Sequence, residues 1–194
     1  MDISFYSIDN PLDIMFGGIS VKKIINSTEF NFSDFNAYIP PKYKEILNKN
    51  IKVSYLGYFE KWDPQETYYY SVDNTGFRPS FERSSGTYSR YTEIDDKIVP
   101  FHFYTTFIKF GIGRATYDAA QEIRNGKITR DEGVGLVKKF DSEFPTNFFK
   151  DFLDYINLSE SDFFDTVEKF RSTHLWKKTK GQWELRNKIW DQKN

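Results

Sequence analysis

The segment from Lys109 to Val134, KFGIGRATYDAAQEIRNGKITRDEGV, leaves the backbone few local choices. Asn125-Gly126 is a helix stop, because glycine takes the left-handed conformation after the last helical residue at little cost. Thr129 then caps a new helix, and Glu132 three residues on completes a capping box. Two helices joined by a short turn are therefore predicted. Upstream, Ile108, Ile112, Ala115, Ala119 and Ile123 recur at helical spacing and predict one helix from Pro100 onward with a single buried stripe. Its neighbouring face changes from Phe103, Phe107 and Phe110 to Arg114, Tyr117 and Gln121, so the helix turns from apolar to polar along its length.

Similar signals organise the rest of the chain. Phe149, Phe152, Leu153 and Ile156 mark a further helix, and Ser159 with Asp162 caps another whose inner face is Phe163, Val167 and Phe170. The stretch 175–185, with Lys180-Gly181 at its centre, reads as a hairpin. Toward the N-terminus, Ile3 to Tyr6 reads as a strand ending at Asp9-Asn10-Pro11. Residues 16–41 read as loop with a short helix around Val21 to Ile25, and Pro41 can open a helix to about Leu47. Lys52 to Phe59 reads as a second strand, leading into Glu60-Lys61-Trp62-Asp63-Pro64, and open α/β sheets place ligands at such strand ends. The tract RPSFERSSGTYSRYTEIDDK has no apolar period. Its length suits either a surface loop with a function or a floppy insertion.

Composition excludes several classes. With 27 basic and 28 acidic residues, the global field gives no reason to expect nucleic acid or an anionic membrane as partner. There is no cysteine, and the two histidines, His102 and His174, lie far apart in sequence, so no metal site is expected. Asp2, Asp9 and Asp13 stand where a secretory leader would be basic and then apolar, and no run is long enough to span a bilayer. The cytoplasm is the expected compartment. The 20 phenylalanines, 13 tyrosines and 4 tryptophans should mostly form core.

Two short blocks carry candidate chemistry. Gly111 and Gly113 bracket Ile112 between Lys109 and Arg114, and a bend there would expose backbone N–H groups beside two cations, which suits a phosphate. The alternative is that the glycines permit close packing and Arg114 pairs with Asp118 one turn on. In the block 60–64, Asp63 as N-cap, Pro64 at the first helical position and Glu66 at the third form a capping pattern that accounts for all but the tryptophan. The same five residues offer two carboxylates, a cation and a ring, so Lys61, Trp62 and Asp63 are candidates to line a substrate. His102, between two phenylalanines, reads as a core histidine.

The segment 109–134, together with YLGYFEKWDPQETYYYSVDNTGF over 55–77, resembles the C-terminal half of the N-acetyl sugar amidotransferases of bacterial surface-sugar synthesis. The resemblance covers roughly the last two-thirds of the chain. It implies an α/β fragment, predominantly helical. Two short parallel strands would come from the end of a Rossmann-like PP-loop sheet, followed by a helical appendage and the small C-terminal hairpin. Three regions follow: 1–78 as the end of a nucleotide-binding-type domain, 79–99 as a surface loop, and 100–194 as the helical region.

The complete enzymes of this family use ATP and Mg, with ammonia from glutaminase and ammonia-channelling partner subunits, to convert an acetamido group of a nucleotide-linked sugar to acetamidino. Lys109, Gly111, Gly113 and Arg114 would meet the phosphate or nucleotide sugar, and Lys61, Trp62 and Asp63 would line the substrate. The family's ATP loop, of the SGGxDS type, is absent from these residues, and Gly17-Gly18 matches only a later Gly-Gly stretch of the family. An N-terminal PP-loop half, or a homologous chain, is thus an expected partner, and the chain alone is expected to be inactive. The competing class is a non-enzymatic sugar-binding or partner-docking module.

Overall fold

The computed structural model describes residues 10–192, so the strand expected at Ile3 to Tyr6 lies outside the described residues. The chain divides into two compact units, Met1–Trp62 and Asp63–Asn194.

In the first unit, Met15–Phe16 (β1) and Ile19–Ser20 (β2) pair antiparallel around Gly17-Gly18. Both glycines hold positive φ, 56° and 83°, which a two-residue hairpin turn demands. Ser20 then caps helix α1, Val21–Ser27, by accepting from the Lys23 N–H. A 3-10 segment at Phe32–Tyr38 carries its own capping box from Asn31 and Asp34, and Tyr43–Asn48 forms α2. Phe16 contacts both Phe35 and Tyr38, with ring centroids 5.8 Å apart in each pair.

The expected second strand is not there. Lys52 to Phe59 is irregular with a 3-10 turn at Leu56–Tyr58, and Tyr55, Leu56, Tyr58 and Phe59 are exposed. A strand needs a partner to satisfy its N–H and C=O groups, and here the local Tyr58 and Phe59 N–H groups donate to Tyr55 and Leu56 carbonyls three residues back. Among the described residues the sheets are two antiparallel hairpins, so the parallel strands and the Rossmann-like PP-loop sheet are absent from this part of the chain.

The second unit is helical. Asp63 caps α3, Pro64–Thr75, accepting from the Glu66 N–H at 3.2 Å, and Gly76 ends it at φ 72°. The single helix expected from Pro100 is two: α4, Val99–Phe110, and α5, Arg114–Arg124. The break lies at Gly111 (φ 76°), where the backbone turns left-handed, and it throws Ile112 to the surface instead of into the stripe. Asn125 and Gly126 end α5, and the Thr129–Glu132 capping box opens α6, Arg130–Phe140. α5 and α6 pack closely, with Ala115, Ala119 and Val137 buried.

Ser159 caps α8, Glu160–Lys169, and Phe149–Ile156 forms α7. Trp176–Thr179 (β3) and Gln182–Leu185 (β4) make the C-terminal hairpin, turning at Lys180-Gly181 with both residues at positive φ. One core holds Phe107, Ile108, Phe163, Val167 and Trp176. The Trp176 indole N–H donates to the Ile108 carbonyl at 2.7 Å, which ties the hairpin to α4 without leaving a buried donor unpaired. Aromatic burial is uneven: Phe101 is inaccessible, whereas Phe81 is fully solvated.

Candidate functional site

The tract that lacked any apolar period is held against the start of α5. The Ser80 N–H donates to the Arg90 carbonyl and the Arg90 guanidinium returns two bonds to the Ser80 carbonyl, closing the base of the loop. Gly86 accepts from the Ala115 N–H at 3.0 Å through its carbonyl, and its own N–H donates to Glu143. Arg83 grips the same Glu143 with two bonds, at 2.5 and 2.6 Å. That bidentate contact, helped by the Gly86 N–H, holds the Glu143 carboxyl below its ordinary range against the opposing effect of burial. Residues 80–92 are thus tied by hydrogen bonds to the start of α5 and to Glu143.

This docking places a polar cluster along one side of α5. Thr87, wholly buried, donates its hydroxyl to Asp118 at 2.5 Å. Arg114 spans two carboxylates: its Nε donates to Asp118 at 3.0 Å, and its Nη1 lies 3.0 Å from Glu93 Oε1. The guanidinium also sits over the Phe103 ring at 4.6 Å. The Glu93 side chain is only 6% exposed, and its residue holds φ at 60°, a left-handed conformation that costs a non-glycine residue about 1 kcal/mol or more. Burial raises the Glu93 carboxyl above its usual range, Arg114 opposing and Asp118 reinforcing.

Two tyrosines complete the cluster. Tyr91 stacks on Tyr68 at 4.4 Å and donates to Gln65 at 3.0 Å. Burial, with Glu122 and Asp118 nearby, pushes its phenol up to about 12, and the Tyr88 phenol rises further for the same reasons.

The glycine-flanked bend does expose helix N–H groups, but the protein supplies its own anion to them. Asp141, buried just past the end of α6, accepts from the Gly113 N–H at 2.8 Å, the Thr116 N–H at 2.9 Å and the Thr116 hydroxyl at 2.6 Å. A Cβ on Gly113 would stand 2.7 Å from the Asp141 carbonyl oxygen, so glycine here answers to a close approach. Gly111 instead ends α4 with Leu185 above it.

Lys109 is exposed in the last turn of α4, over the rings of Phe110 and Phe170 at 5.2 and 5.7 Å. It borders an apolar groove of about 440 Å³ between α4, α7 and α8, as does His102, which is a surface residue and not a core one. Lys109 and Arg114 are thus held by different partners. Asp63 is buried, capping α3, and its second oxygen lies 3.6 Å from Lys127, which also bonds Glu66. Lys61 and Trp62 end the first unit as exposed residues. The pairing of Arg114 with Asp118, the structural alternative at that residue, is present; Glu93, Tyr88 and Thr87 carried no local signal in the sequence.

Arg114→Ala strands Glu93 and Asp118 as neighbouring carboxylates beneath the loop, and should cost about 2 kcal/mol, since removing one partner of a buried pair leaves uncompensated charge. Urea unfolding of the variant checks it; an unchanged midpoint would show that the guanidinium is dispensable to the fold.

Among the described residues no three acidic or histidine side chains are grouped to hold a metal, and no helix is long and apolar enough to cross a membrane. The second unit is a set of helices whose capped α5–α6 pair carries a docked polar loop. Residues 85–189, more than half of the chain, match the family described as LPS biosynthesis protein WbpG-like, C-terminal domain, and the chain belongs to that family. No curated protein matches the chain.

Proposed function

We propose that this chain is the C-terminal portion of an ATP-dependent amidotransferase that converts an acetamido group of a nucleotide-linked sugar to acetamidino during synthesis of bacterial surface polysaccharide. The observation that carries this reading is membership in the LPS-biosynthesis family across the segment that folds the loop onto α5.

These residues carry no SGGxDS loop, and ATP and Mg are assigned in this reading to another part of the enzyme. This chain's contribution is binding and positioning. Lys109 is an exposed cation suited to a substrate phosphate, because no carboxylate among the described residues is paired with it in the way that Glu93 and Asp118 are paired with Arg114. A phosphate at Arg114 would have to displace Glu93 or Asp118. Lys61, Trp62 and Asp63 remain proposed substrate-lining residues, Asp63 through the oxygen that faces Lys127. Ammonia would come from a glutaminase partner.

The test is co-expression with an SGGxDS-bearing half, followed by an assay for ATP- and ammonia-dependent amidation. Turnover by the pair and none by the chain alone is the expected result. Pyrophosphate release by the pure chain would overturn the division of labour. A pair that assembles without amidating any acetamido sugar would favour a binding module.

A further inference from the structure

Four of the buried side-chain atoms that lack a hydrogen-bond partner fall within six consecutive residues of the docked loop: the Tyr88 hydroxyl, the Thr92 hydroxyl and both Glu93 carboxylate oxygens. Buried polar groups are rarely left unmade, and each costs about 1–3 kcal/mol when it is. Glu93 is the strongest instance. Its side chain is 6% exposed, one oxygen has only the Arg114 ion contact, and the other has nothing.

The charge around these atoms selects the kind of ligand. Arg114 faces Glu93 and Asp118, with Glu122 one turn beyond Asp118 on the same helix face, and Lys127 is committed to Asp63 and Glu66. An excess of carboxylate repels phosphate. It accepts hydrogen bonds from hydroxyl or amide donors, while Tyr88 and Thr92 can donate to a ligand oxygen. The stacked Tyr68–Tyr91 pair adds an aromatic surface beside the same helix face.

We propose that Tyr88, Thr92 and Glu93, backed by Arg114 and Asp118, form a subsite for the hydroxyl- and amide-bearing ring of a neutral sugar. The inference deepens the reading above and rests on it, since it assigns the sugar, and not the phosphate, to the loop–α5 face. Glu93 binds the ring directly; Arg114 is the positioning residue that holds the Glu93 carboxylate, and Asp118 in turn fixes Arg114.

The experiment is amide-resolved NMR of the isotopically labelled 194-residue chain, titrated separately with N-acetylglucosamine and with inorganic phosphate. The sugar should shift amides of residues 88–93 and 114–122 saturably in the millimolar range expected of a single weak ring site, about 4 kcal/mol, and phosphate should not. Glu93→Gln and Tyr88→Phe should each weaken the sugar titration about fivefold while amides elsewhere keep their positions. If Glu93→Gln does not fold, Tyr88→Phe carries the comparison. Absence of sugar shifts at these residues, equal shifts with phosphate, or wild-type titration by the folded variants would overturn the subsite. Amidation by the reconstituted pair without these shifts would sink the subsite alone, and the shifts without amidation would sink the amidotransferase reading alone.

Discussion

Asp141→Ala is expected to lower the unfolding free energy of the second unit by about 3–4 kcal/mol, the largest effect of any single polar substitution. The carboxylate accepts three hydrogen bonds from the start of α5, and alanine leaves the buried Gly113 N–H and the half-buried Thr116 N–H and hydroxyl without this partner. Each such orphan costs roughly 1–3 kcal/mol, and loss of a helix cap alone costs about 1. The charge also lies at the positive end of the α5 dipole. Asp141→Asn keeps the acceptor oxygen at one site and should cost less than alanine. Urea unfolding followed through the α5 amides measures both, and equal midpoints for the wild type and Asp141→Ala would mean that water replaces the carboxylate without loss.

Phe101→Ala should cost about 3–5 kcal/mol, by transfer of a buried ring and the cavity it leaves. Phe101 is inaccessible to solvent and stacks on Phe152 at 4.2 Å with the planes nearly parallel, with Phe149 at 5.8 Å and Phe144 at 6.5 Å. The ring therefore joins the first turn of α4 to α7. Phe81→Ala, at a solvated ring, is the control and should change stability by less than about 0.5 kcal/mol. A cooperative melt displaced for Phe101→Ala alone is the expected pattern, and matching melts for the two variants would contradict the packing described here.

What could be read from the chain in advance was local. Asp63 with Glu66, Thr129 with Glu132 and Ser159 with Asp162 each act across three residues, so the cap and its helix start are written side by side. The Lys180-Gly181 hairpin is legible for the same reason. The partners that decide the site are distant. Asp141 reaches back 28 residues to the Gly113 N–H, and Arg83 reaches forward 60 to Glu143. A glycine-flanked bend next to basic residues therefore looked like a phosphate cradle, because nothing near it in sequence announced the carboxylate that fills it. Glu93 lay in a tract with the composition of a solvated loop, and only the docking of that tract buries it. The parallel strands were expected by analogy with a larger fold, whereas Lys52 to Phe59 has no ladder partner among the described residues.

The contact between α5 and α6 binds two positions into a shared allotment of space. A methyl group at Gly133 would fall 2.7 Å from Ile123 Cδ1 and 3.6 Å from Ala119 Cβ, while Ile123 itself fills the gap that the missing side chain leaves. Any bulk gained at 133 must then be surrendered at 123, and drift at either position is admissible only when the other compensates.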